Sequence, residues 1–210
     1  VLRLDDFIAV VGDPMWAAKQ GLEALDISWV EGPTANLSTA DIWQEAEAAS
    51  QREGVVAKSE GDALKALQQG DIVEQVYQLP LLAHATMEPM NCTVHVQPDS
   101  CEVWVGSQVV SRAQAVAAKV TGLPPEKVTV HNQYLGGGFG RRLEIDYVES
   151  AVQVARHVDG PVKVIWTREE DMQHDVYRPV YYDRISATLA NGRIDGWKHR
   201  ITGAAIIARW

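Results

Sequence analysis

Val128-Thr129-Val130-His131-Asn132-Gln133-Tyr134, running straight into Leu135-Gly136-Gly137-Gly138-Phe139-Gly140-Arg141-Arg142, carries the strongest structural signal in this chain. The β-branched residues at its start predict a strand over 128–134. Past the glycines, Ile145, Val148, Val152 and Ala155 recur at near-helical spacing and predict a helix. Four glycines within five positions between two such elements require a physical cause. Glycine loses more freedom on ordering than any other residue, and it offers positive φ and close backbone approach in return. Amides freed by such a loop, just ahead of a helix N-terminus, form an anion site. The plain alternative is a tight strand-to-helix turn that binds nothing. Two familiar nucleotide loops are excluded. A Walker loop continues Gly-Lys-Ser or Gly-Lys-Thr, whereas Arg141-Arg142-Leu143 follows Gly140. The dinucleotide fingerprint, counted from Gly136 or from Gly138, meets Arg141 or Leu143 where it requires glycine or alanine.

Working outward, the chain reads as mixed α/β (α+β), with a small α/β domain over 1–79 and a strand-richer domain over 80–210. In the first, Phe7-Ile8-Ala9-Val10-Val11 and Ile27-Ser28-Trp29-Val30 predict short strands. Asp13 as N-cap and Pro14 at the first helical position predict a helix between them. Ser38 and Asp41 resemble a capping box for a helix to about 52. Val55-Val56-Ala57 and residues 72–77 bracket a third helix at 63–67. Pro80 interrupts the ladder and marks the boundary at Leu79-Pro80. Beyond it, 91–97 and 101–105 flank a hairpin turn at Pro98-Asp99-Ser100, and a helix over 111–120 ends at Thr121-Gly122. Residues 162–166 predict a strand, and Asn191-Gly192 predicts a hairpin within 181–197.

Composition bounds the function. At 46% hydrophobic and 22% charged, the 210 residues build a core, and the net charge of -9 argues against nucleic-acid binding. No apolar run reaches the roughly 18 residues of a transmembrane segment. Cys92 and Cys101 allow at most one bridge and read as small buried side chains. The six histidines form no zinc pattern. Glu169-Glu170-Asp171 reads as acids at a helix N-terminus rather than a paired-carboxylate site, and the seven tryptophans read as core or interface residues. Both ends read as cut. The chain starts Val1-Leu2-Arg3-Leu4, with neither an initiator Met nor a charged-then-apolar segment, and 203–210 reads as a strand stopped within a sheet.

The glycine loop resembles that of the xanthine dehydrogenase and aldehyde oxidase family, whose molybdenum-binding subunits carry Gly-Gly-Gly-Phe-Gly after a strand. Its doubled arginine looks most like the isoquinoline 1-oxidoreductase and bacterial aldehyde dehydrogenase large subunits. Further segments carry the likeness. Ala83-His84-Ala85-Thr86-Met87-Glu88-Pro89 resembles the family's His…Glu-Pro segment. Trp104-Val105-Gly106-Ser107-Gln108 resembles the segment ending in a Gln that faces the metal's oxo ligand, and Gln108 precedes Phe139 by 31 positions. Trp166-Thr167-Arg168-Glu169-Glu170-Asp171-Met172 resembles its Arg-x-Glu-Asp-Met segment, and Tyr177-Arg178-Pro179 sits where an arginine-containing segment lies.

The resemblance implies that 80–210 is part of a molybdopterin-binding domain, truncated at the C-terminus. It implies molybdopterin with molybdenum, in the cytosine dinucleotide form, as cofactor. Gln108, Gly136, Gly137, Gly138, Phe139, Gly140, Arg141 and Arg142 would bind it, and Arg178 would face substrate. The amides from Gly138 to Arg141 would approach the pterin edge, and Arg141 or Arg142 would pair with a phosphate, the alternative for the pair being a solvated surface. The implied partners are a small [2Fe-2S] subunit or domain, the missing C-terminal domains of the same chain, and a small-molecule substrate. The implied reaction is oxidation of an aldehyde or N-heterocycle with water as oxygen source. Two departures matter. Leu143 stands where purine-oxidising members have Glu, and the family's catalytic Glu is expected beyond these residues, so no catalytic residue is assigned and the fragment alone is expected to be inactive. A non-catalytic scaffold of the same fold without cofactor is the alternative. The compartment, bacterial periplasm or cytoplasm, stays open.

Overall fold

A computed structural model describes residues 1–206, so residues 207–210 of the stretch expected to end as a strand lie outside the described residues. In chain order the elements are β1 (Leu2–Arg3), β2 (Ile8–Ala9), α1 (Met15–Glu23), α2 (Thr39–Ser50), α3 (Ala63–Gln69), β3 (Ile72–Leu79), β4 (Asn91–Val96) and β5 (Cys101–Val105). There follow α4 (Val110–Thr121), β6 (Val128–Asn132), α5 (Asp146–Ala155), β7 (Val162–Ile165), α6 (Arg168–Gln173), β8 (Tyr181–Ala190) and β9 (Arg193–Gly203). The fold is the expected mixture of helices and sheets. Among the described residues no helix is long and apolar enough to cross a membrane.

These elements form two compact units interleaved in sequence. One takes Val1–Trp29 and Ala83–Val176, the other Val30–Leu82 and the residues from Tyr177 onward. The chain crosses between the units after Trp29, Leu82 and Val176.

The first unit is built on a four-stranded sheet ordered β6-β5-β4-β7. β5 and β6 run parallel with α4 between them in sequence, and β4 pairs antiparallel with both β5 and β7. One face is buried at period two: Cys92 and Val94 from β4, and Cys101, Val103 and Val105 from β5. α4 covers it with Ala113, Val116 and Ala117, and α5 with Tyr147, Val148, Ala151, Val152 and Ala155. Both cysteines are free and buried as expected; burial raises the Cys92 thiol to about 12 and the Cys101 thiol to about 11. α4 ends on Gly122, left-handed at φ 77°, as Thr121-Gly122 predicted. Trp166 packs against this core, whereas Trp16 and Trp29 are exposed.

Three local expectations differ. Residues 27–30 and 55–57 form no strand, and Val30 and Val55 are almost fully exposed. Stretches of three or four residues without a pairing partner are too short to hold an extended ladder. α1 begins one residue later than predicted, with Pro14 rather than Asp13 in the extended cap position and no side-chain cap.

The second unit pairs β3-β8-β9 antiparallel under α2 and α3. The capping box at Ser38 and Asp41 forms as its spacing predicted, with both reciprocal bonds made. Asn191 and Gly192 both take positive φ, 51° and 73°, in the β8–β9 turn.

Candidate functional site

Because β5 and β6 are parallel neighbours with Val105 opposite Asn132, the segments leaving their C-terminal ends lie side by side. That edge of an α/β sheet is where ligands are ordinarily held. Two bonds tie the exits together: Gln133 donates from its amide to the Val105 carbonyl at 2.9 Å, and Ser107 from its amide to Asn132 Oδ1 at 3.1 Å. A third segment, 84–90, closes the group. The Glu88 amide donates to the Gly136 carbonyl at 3.0 Å and the Gly136 amide returns to Glu88 Oε2 at 2.8 Å. Gln108, Glu88 and the glycines are thus brought together from three parts of the chain.

The glycines are required by what lies against them. A Cβ on Gly138 would stand 2.7 Å from Gln108 Oε1, and one on Gly136 would stand 2.3 Å from Glu88 Cβ. Gly137 and Gly140 hold φ of 104° and 101°, and Phe139 between them is left-handed at 52° with its ring largely exposed. Gln108 Oε1 accepts from the amides of both Gly140 and Arg142 at 3.2 Å, and the Gln108 amide donates to the Arg142 carbonyl at 3.0 Å. With Oε1 committed, Nε2 is the end of that carboxamide left for a ligand. Among the described residues the amides of Gly137, Gly138 and Phe139 have no protein acceptor, whereas that of Arg141 is used by the Gly138 carbonyl at 2.8 Å.

Arg141 and Arg142 take a different role from the one expected. They are 1% and 0% exposed, so they are neither a solvated pair nor a fork turned toward a phosphate. Arg141 makes a bidentate pair with Asp146 at 2.8 Å for each bond, and its Nε lies 2.8 Å from Asp175 Oδ1. Its guanidinium also lies 5.7 Å from the Tyr147 ring centre and 5.6 Å from that of Trp166. Burial acts to lower the Arg141 pKa, but the bond and charge of Asp146, with the charges of Asp175 and Asp171, outweigh it and raise it. Arg142 donates to the carbonyls of Gly137 (2.9 Å), Gly106 (3.2 Å) and Glu88 (2.9 Å), and to Glu88 Oε2 at 2.8 Å. It is the internal strut of the loop. Backbone carbonyls that a turn this tight leaves buried require such donors.

Three partners were not foreseen: Glu88, Asp175 and His84. Asp175 is 1% exposed at its side chain and accepts from the His84 amide and, at 3.0 Å, from His84 Nδ1. That leaves His84 Nε2 toward the glycine turn, 3.8 Å from where a Gly140 Cβ would be. Only the alternation of charge along 141–146 and 168–175 hints at such pairing. Glu169-Glu170-Asp171 opens α6 as expected: Thr167 and Glu170 form a capping box, and buried Asp171 pairs with Arg168 at 2.6 Å. Arg178 belongs to the second unit, where its backbone pairs with that of Leu82 at 3.0 and 3.4 Å.

Glu88 titrates low. Burial raises its pKa, but bonds from Asn91 and the Gly136 amide and the charge of Arg142 prevail and lower it. A carboxyl depressed in the folded state contributes stability that is present above its unfolded pKa and lost as pH falls through the folded one. The thermal midpoint of Glu88→Gln is therefore expected to lie below the parent's at neutral pH and to converge with it under acid. Parallel curves at all pH values would show that this carboxylate contributes nothing.

The family model of the molybdopterin cofactor-binding domain matches residues 47–205. Isoquinoline 1-oxidoreductase subunit beta of Brevundimonas diminuta is 36% identical over 110 residues, 51% of this chain and 14% of that protein. The membrane-bound aldehyde dehydrogenase [pyrroloquinoline-quinone] of Gluconacetobacter polyoxogenes is 40% identical over 85 residues, 40% of this chain and 11% of that protein. The chain thus spans only a small part of these relatives' length. In fold, it is similar to quinoline 2-oxidoreductase from Pseudomonas putida 86, with a TM-score of 0.57 at 17% identity, over 65% of this chain and 18% of that one.

Proposed function

Since the chain belongs to the molybdopterin cofactor-binding domain family, we propose that its glycine turn is one wall of the cofactor site in a molybdenum hydroxylase large subunit that oxidises an aldehyde or an N-heterocycle with water as oxygen source. The observation that carries this reading is the clamp of Gln108 Oε1 on the amides of Gly140 and Arg142, which fixes the orientation of the carboxamide and reserves Nε2 for a ligand.

The residues fit such a group. Bare glycines leave room for close approach, and the free amides of Gly137, Gly138 and Phe139 supply donors for an anionic or carbonyl-rich edge. The exposed Phe139 ring supplies an apolar flank. Arg141 and Arg142 serve from behind, holding the turn in shape through Asp146, Asp175 and Glu88 rather than meeting a phosphate themselves. When bound, molybdenum supplies Lewis-acid activation of water and takes up the electrons of the oxidation. This chain's residues bind and orient. None of them is assigned as the acid or base, and Arg178 as a substrate contact is part of the proposal. We assign the cytosine dinucleotide form and a [2Fe-2S] partner on the same footing, through the resemblance of the Gly136–Arg142 loop and its flanking segments.

The test is metal and pterin analysis of the protein that carries this chain, co-produced with its iron–sulfur partner in a molybdate-replete host. The expected result is about one molybdenum per chain with a releasable pterin bearing a cytosine nucleotide. A folded complex with neither metal nor pterin would sink the reading and leave a scaffold of the same fold.

A further inference from the structure

The helix-covered face of the second unit's sheet gathers cations without matching anions. In the β8–β9 register Arg184 stands directly opposite Arg200 and Ser186 opposite Lys198, and in β3–β8 Ser186 stands opposite Glu74. Side chains at these positions share one face, so two adjacent rows carry Arg184 with Arg200, and Glu74, Ser186 and Lys198. Like charges directly opposite in an antiparallel pair repel. The opposed Arg184 and Arg200 therefore favour a compensating partner beside the one carboxylate, Glu74, whereas Lys198 is exposed to solvent.

Glu74 does not supply it. Its Oε2 accepts from Ser186 Oγ at 2.7 Å, while its Oε1 is 4.0 Å from Arg184 Nη1, at the limit of an ion pair. Arg200 Nη1 is committed to the carbonyls of Ser50 and Arg52, at 2.8 and 2.6 Å, at the end of α2. Arg184 Nε is buried with no acceptor, and among the described residues Lys198 has no ion-pair partner. A buried guanidinium donor without an acceptor costs free energy, so its persistence calls for an acceptor that completes it. Between these side chains and Ser50 lies a depression of about 290 Å³.

We propose that this depression is a phosphate site, in which Arg184 and Lys198 bind the oxyanion and the Ser186 hydroxyl lines its floor. A guanidinium fork beside an ammonium suits a tetrahedral dianion, and the occupant is inorganic phosphate or a phosphomonoester. The proposal is independent of the cofactor reading.

Titration of the 210-residue chain with inorganic phosphate, followed by the Arg184 Nε–Hε resonance at constant ionic strength, tests it. The expected result is a saturable shift that acetate does not reproduce. Lys198→Gln, at an exposed position that the fold does not depend on, and Arg184→Gln are each expected to weaken binding about tenfold or more, the loss of one charge-assisted hydrogen bond. Glycerol phosphate in a parallel titration separates the sources: tighter binding than inorganic phosphate assigns an ester, equal or weaker binding the free ion. No saturable shift, an equal shift with acetate, or parental affinity in Lys198→Gln would overturn the site.

Discussion

Arg142→Met is expected to cost about 3–5 kcal/mol of folding stability, the scale of leaving two or three buried carbonyls without a donor. The side chain is 0% exposed and satisfies the carbonyls of Gly106, Gly137 and Glu88 together with the Glu88 carboxylate. Methionine fills much of the volume but offers no donor, so buried carbonyls lose their partners, each at about 1–3 kcal/mol. The Glu88 carboxylate is the lesser loss, because it is 36% exposed and water reaches it. Arg142→Lys separates charge from geometry. A single ammonium cannot reach acceptors spread over three segments, so lysine is expected to recover less than half of the loss. Urea midpoints of the parent and both variants measure this. A methionine variant within about 1 kcal/mol of the parent would mean that the loop stands without its strut.

How much of this was legible beforehand depends on the range of the interaction. Signals carried by a few neighbouring residues were readable: the Ser38–Asp41 box, the Asn191-Gly192 turn, the Thr121-Gly122 stop and the strand–glycine–helix passage. Each is decided by local backbone geometry, which residue type reports directly. That Gln108 would lie against the glycines was also readable, though only through likeness to a family. The orientation of the arginines was not. An Arg-Arg pair after a loop looks the same in sequence whether it faces water or the core. What turned these inward were Asp175 and Glu88, 34 and 54 positions away along the chain. The interleaved units were hidden for the same reason. β3 finds its partner in β8, across all of the first unit's sheet, and no composition shift marks a strand that waits a hundred residues for its neighbour. Residues 27–30 and 55–57 show the opposite failure, local β propensity with no partner to pair with.

Gly138→Val is expected to abolish retention of molybdenum and pterin while costing the fold only about 1–3 kcal/mol, the range of an overpacked site. Gly138 has ordinary negative φ, so the backbone admits valine; the obstacle is Gln108, whose Oε1 and Cδ would lie 2.7 and 2.8 Å from the new Cβ. Gln108 must move, and in moving it releases the amides of Gly140 and Arg142 that set the turn. The valine also covers the free amides on either side of it. Gln108→Ala releases the same amides without adding bulk. If the carboxamide clamp is what shapes the site, this variant should lose most of the metal too, at a stability cost near that of the bonds removed. If bulk alone matters, Gln108→Ala should stay loaded while Gly138→Val empties. Metal content per folded chain, read beside the urea midpoint, tells these apart. Parental molybdenum in Gly138→Val would place the cofactor away from this loop and leave the glycines as nothing more than the close packing of three segments.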